Sequence, residues 1–177
     1  MKTISQEELD RQLGEASYWF PHKLPGTLAY QYGIPAFDTL AAGPPGSPMG
    51  RLHLQLRPQG LELCLVHRTT VRLVGVPFRD LEAVELKMPD DIGACPNRSL
   101  LGQALAGGLL HGPGGGRVVQ LSGWPTGPPA GYTEGLLTLA AVQDGAPAFC
   151  VATVKKDAGF AALQRFLQQH LGRFYKA

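Results

Sequence analysis

The sequence predicts a mainly β fold with some α: a seven-stranded, bent antiparallel sheet, or partly open barrel, plugged by a C-terminal amphipathic helix. A short N-terminal helix and a helical insertion complete it. Three observations carry this expectation. Leu52, Leu54 and Leu56 alternate with polar residues, and Leu61, Leu63 and Leu65 do so again after Pro58-Gln59-Gly60, which is the pattern of a β-hairpin with matched faces. Further strand-like runs follow at 69–76, which is rich in β-branched residues, and at 80–87, 117–122, 136–142 and 148–154. Last, Phe160, Leu163, Leu167, Leu171 and Phe174 recur at intervals of three and four, so they share one helical face.

Taken in order, residues 5–16 read as a helix. Ser5 and Glu8 have the spacing of a capping box, and Leu9, Leu13 and Ala16 form its apolar stripe. Residues 18–50 concentrate Tyr18, Trp19, Phe20, Tyr30, Tyr32 and Phe37 among prolines, with Leu28 to Tyr32 as an edge strand. These aromatics either cover the core or line an interface, where Tyr and Trp are enriched. Residues 88–116 interrupt the strands. Ser99 is placed to cap a helix from Leu100 to Leu110, and the glycine-rich run from Gly112 to Gly116 is a connector. Asp144-Gly145 supplies a tight turn between the last two strands, and Asp157 is placed to cap the terminal helix.

Composition bounds the function. Charged residues are 17% of the 177, and 23 glycines and 15 prolines make a folded but loop-rich chain. A net charge of +2 is too small to argue for nucleic acid. Three cysteines form no paired framework, the first residues lack a signal-peptide core, and no apolar run reaches membrane-spanning length, so the expected location is the cytoplasm.

This order of elements resembles the pleckstrin-homology-like family, GRAM-like and bacterial members included, over about residues 50–174. The resemblance rests on the hairpin Arg51–Val66 with its central Gly60, on the run from Val71 to Leu86, and on the helix after Phe149–Val154. It divides the chain into an N-terminal helix and aromatic, proline-rich extension, 1–50, and a PH-like domain, 51–177, with an insertion at 88–116. It implies a non-enzymatic adaptor that binds a protein partner or self-associates. Some family members bind phosphoinositide headgroups through basic residues of the first hairpin loop. The matching cation here is Arg57, with His67, Arg68, Arg72, Lys155 and Lys156 as further weak anion-binding candidates. Such scattered cations rank peripheral membrane contact below protein binding.

Two other readings are carried. One is a cup for a small molecule or lipid between sheet and terminal helix, with Trp19, Phe20, Trp124 and Tyr132 as walls. Together with Tyr30 and Tyr32 these are the ligand or interface candidates. The other is an enzyme using Cys95 with His111, for which no orienting residue is evident. The hairpin register places His53 opposite Cys64, two soft ligands where zinc takes three or four, so no metal and no cofactor are expected. The run from Gly112 to Arg117 lacks the Lys-Ser/Thr end and following helix of a phosphate-binding loop.

Overall fold

The computed structural model describes residues 4–16, 28–40, 50–88, 134–143, 145–155 and 158–176. The predicted helix at 100–110, the strand at 117–122 and the cap Asp157 lie outside them. The protein is mainly β, with a few helices and an open sheet. Among the described residues the helices are α1 (Gln6–Leu13), α2 (Pro35–Asp38) and α3 (Ala158–Leu171). Strands are β1 (Leu28–Tyr32), β2 (Arg51–Arg57), β3 (Gly60–His67), β4 (Thr70–Pro77), β5 (Leu81–Lys87), β6 (Glu134–Gln143), β7 (Ala146–Lys155) and β8 (Tyr175–Lys176).

The strands form one eight-stranded sheet in the order β4-β3-β2-β1-β7-β6-β5-β8. All neighbours are antiparallel except β5 and β8, which run parallel. The β2–β3 hairpin has the predicted register. Arg57 pairs with Gly60 across a two-residue turn, and Leu52, Leu54 and Leu56 face Leu65, Leu63 and Leu61.

Three expectations are corrected. β1 is not an edge strand: it lies between β2 and β7, and Leu28 pairs with Leu52 on one side and Val154 on the other. The prolines that suggested an edge stand outside the strand, so both sides of its backbone are free to pair. The strand at 80–87 does not continue the meander after β4; it pairs with β6 and β8. The terminal helix stops at Leu171, and Phe174 reaches the core from the turn that leads into β8.

The separation of β4 from β5 dictates the curvature. They are six strand positions apart, about 29 Å in a flat sheet at ~4.8 Å per strand. Yet residues 78–80 alone join them, and that link spans at most about 14 Å. The sheet therefore coils until its two ends meet at this turn. Hydrogen bonds from Phe78 N–H to the Gln59 carbonyl (2.9 Å) and from Val142 N–H to the Asp80 carbonyl (2.7 Å) tie the meeting point together. No β4–β5 ladder forms among the described residues, so the curl stays open.

The inner face holds one core. Leu54, Leu63, Val74, Val84, Leu139 and Ala152 from six strands meet Leu163, Leu167 and Leu171 of α3, with Phe160 and Phe174 packed against them. The stripe predicted for α3 is thus the buried one. Ile34 and Phe37 of the α2 turn enter the same core. Pro35 opens α2 because its missing N–H lies where a helix has no internal acceptor. Among the described residues no helix is long and apolar enough to cross a membrane.

Candidate functional site

The outer face of β2, β3 and β4 carries the chemistry that the core leaves over. Its side chains come from Arg51, His53, Gln55 and Arg57, from Glu62 and Cys64, and from Val71, Leu73 and Gly75, the residues that alternate with the buried leucines and valines. α1 lies across one end of this face. Ser5 caps it, its Oγ accepting the Glu8 N–H at 3.2 Å. The capping box is half formed, since the Glu8 carboxylate turns to Arg11 and Gln12 (2.7 Å each). Leu9 and Leu13 are fully buried, and the bare backbone at Gly75 makes room for them: a Cβ there would stand 3.3 Å from Leu13 Cδ1 and 3.5 Å from Leu9 Cδ1.

Arg57 holds α1 down. Its side chain is 2% exposed. Nε donates to Glu62 Oε2 at 2.7 Å, and Nη1 donates to Asp10 Oδ1 at 2.8 Å and to the Gly14 carbonyl at 3.2 Å. One guanidinium thus joins the hairpin to both α1 and its C-terminal cap. The sequence offered Arg57 as an anion-binding residue; its donors are spent on two carboxylates of the chain itself. The missed signal was Glu62, two residues past Gly60 on the same face and diagonal to Arg57.

Arg72 is also committed. Its Nη1 donates to the Ala36 carbonyl and to Thr39 Oγ1 (2.8 Å), tying β4 to α2. Arg68 is exposed in the β3–β4 turn at φ 53°, His67 ends β3, and Lys155 is exposed at the end of β7. Arg51 is exposed at the start of β2. Lys156 lies outside the described residues. Arg51, Arg57, His67, Arg68 and Lys155 thus lie at strand ends or in a turn.

His53 and Cys64 are directly opposed, as the register predicted. With Leu54, Gln55 and Glu62 they line a shallow cavity of ≈ 200 Å³. Glu62 is held by Arg57, and no group of three or more His, Cys, Asp or Glu among the described residues is arranged to hold a metal ion.

Tyr30, an expected interface residue, lies in the core at 0% exposure, ring edge to Phe37 at 5.3 Å. Its hydroxyl donates to Asp38 Oδ1 at 2.7 Å and accepts the Ile34 N–H at 2.7 Å. The Gly33 N–H also points to Asp38, 3.3 Å from either oxygen. Burial pushes the Tyr30 hydroxyl up, reinforced by neighbouring Cys150 and Asp38. Burial likewise raises the Cys150 thiol, with Asp38 adding to the effect, so it is a poor nucleophile. Asp38 is raised by burial, against the lowering effect of bonds from Tyr30 and Gly33. This network closes the α2 turn.

Tyr32 is placed by its backbone in β1, beside a register shift against β7. Trp19, Phe20, Trp124, Tyr132, Cys95 and His111 lie outside the described residues. Between sheet and α3, where the alternative reading puts a ligand cup, Leu163, Leu167 and Leu171 are buried at 0–1% exposure.

What remains accessible is the outer strand β4. His67 and Thr70 close a two-residue turn, so backbone bonding to β3 falls on Thr70, Arg72, Val74 and Val76. Val71, Leu73 and Gly75 therefore turn N–H and C=O away from the sheet. The Ile4 N–H donates to the Leu73 carbonyl at 3.1 Å, on that outer side. Val71 is 58% exposed, the one large hydrophobic exposed to this degree among the described residues. The class defined so far is a mainly β domain with an open, coiled sheet whose β4 edge is partly free among the described residues. Comparison with protein-family models, curated proteins and solved structures returns no match.

Proposed function

We propose that this chain is a non-enzymatic interaction module of PH-like type, binding a protein partner or a second copy of itself. The observation that carries the reading is the unclosed edge of β4, which keeps outward-turned backbone and the exposed Val71 side chain at the surface. An unpaired edge with an apolar side chain is a template for another chain. The succession of a hairpin-led meander, a second set of antiparallel strands and a closing amphipathic helix supports the PH-like element of the reading. The chemistry of the described polar residues adds to it, because Arg57, Glu62, Asp10, Tyr30 and Asp38 bond to each other and fasten α1 and α2 to the sheet.

Affinity purification from the native host, followed by light scattering over a range of concentrations, tests the reading. A stoichiometric co-purifying protein or a concentration-dependent homo-oligomer is expected. A strict monomer that retains no protein overturns it.

A further inference from the structure

We propose that the β4 edge at Val71 takes an extended, acidic segment of a protein partner as an added strand. The inference rests on the interaction-module reading and specifies the edge and the chemistry of what binds there.

At Val71 both the N–H and the C=O point away from β3, and neither bonds to another described residue. Two residues further on, Ile4 already uses the same side of the strand, bonding to the Leu73 carbonyl. The edge thus accepts backbone from outside the sheet, and α1 limits how far an incoming strand can run. At the turn end Arg68, Thr69, Thr70 and Val71 are all exposed.

Charge decides between occupants. Arg51 pairs with Val66 and Val66 with Val71, so the three form one row across the outer face, with Arg51 about 10 Å from Val71. Arg68 sits in the adjoining turn. Neither arginine takes part in an ion pair among the described residues, whereas Arg11, Arg57, Arg79 and Lys87 all do. A second copy pairing edge to edge would bring these like charges together, which disfavours it. An extended segment with carboxylates beside an apolar residue meets Val71 with its aliphatic side chain and the arginines with its charges.

The test uses the full chain, labelled with ¹⁵N, and a blocked peptide of alternating glutamate and valine. A second peptide carries lysine in place of glutamate. The acidic peptide is expected to shift the Val71 and Leu73 amide resonances and to protect the Val71 amide from exchange. Val71→Pro removes only an N–H that points out of the sheet, a position where an edge strand accepts proline. It is expected to weaken binding about tenfold, as the loss of a backbone bond would. Val71→Thr, which keeps the N–H, retains binding. Should Val71→Pro unfold the chain, Arg51→Glu with Arg68→Glu carries the test: the preference switches from the acidic to the lysine peptide. Equal binding of the two peptides by the wild type, shifts that avoid β4, or protection of Val71 that grows with protein concentration without peptide would each overturn the inference. A partner captured through another surface would leave the interaction-module reading standing while this edge assignment falls.

Discussion

Arg57→Met removes the guanidinium that fastens α1 to the hairpin while keeping most of the side chain's bulk. The environment sets the magnitude. Arg57 is 2% and Glu62 10% exposed, so the substitution leaves a carboxylate buried without its cation. Breaking a buried pair from one side costs about 3–5 kcal/mol. Asp10 is 35% exposed, and losing its bond adds no more than about 1 kcal/mol. The Gly14 carbonyl also loses a donor. At a urea dependence near 2 kcal/mol per molar, the unfolding midpoint falls by about 2 M. Arg57→Met with Glu62→Leu removes both buried charges and is expected to recover most of that loss, because no ion is then stranded. Asp10→Ala alone stays within about 1 kcal/mol. Urea unfolding followed by circular dichroism reads all three. A cost below about 1 kcal/mol for Arg57→Met, or a double variant as unstable as the sum of its singles, would refute the reasoning.

Asp38 gives a pH signature. Burial raises its carboxyl above the ordinary 3.8, so the folded chain holds that proton more tightly than the unfolded one. Its contribution to stability therefore grows as pH falls through the raised value toward 3.8 and is absent above it. Wild type should gain on Asp38→Asn between neutral pH and about pH 4, by comparison of urea midpoints; a difference that is constant or of opposite sign contradicts the placement. Glycine substitutions separate two kinds of wall. A Cβ at Gly60 would stand 2.4 Å from the Val76 carbonyl, whereas at Gly75 it meets side-chain ends of Ile4 and Leu13 at 3.3 Å. Gly60→Ala should thus cost about 1–3 kcal/mol and Gly75→Ala clearly less, while Gly75→Val loosens α1 and speeds proteolysis near residue 14. Leu167→Ala, at 0% exposure, should cost about 2–5 kcal/mol in thermal unfolding, against about 0.5 kcal/mol or less for exposed Gln168→Ala.

Local order was legible wherever one turn or one helix carried it. Alternation put Leu52, Leu54, Leu61, Leu63 and Leu65 inward, and the turn at Pro58-Gln59 then placed His53 opposite Cys64. Spacing alone put Leu163, Leu167 and Leu171 on the buried stripe of α3. The candidate site was less legible. Arg57 reads as a free loop cation until Asp10, 47 residues earlier, is brought beside it. Tyr30 reads as an interface aromatic until α2 delivers Asp38 to its hydroxyl.

A short connection determines register and facing by itself, because the pleat and the helical period leave few alternatives within a few residues. The chain's own sequence thus specified the β2–β3 hairpin, the stripe of α3 and the Ser5 cap. Tertiary structure alone decided that β1 would slot between β2 and β7, that β4 and β5 would stand six strand positions apart in a coiled sheet, and that β8 would join β5 in parallel. Those pairings join backbone edges that look alike along the chain. They are selected by which arrangement buries the inner face of all the strands beneath α2 and α3 at once.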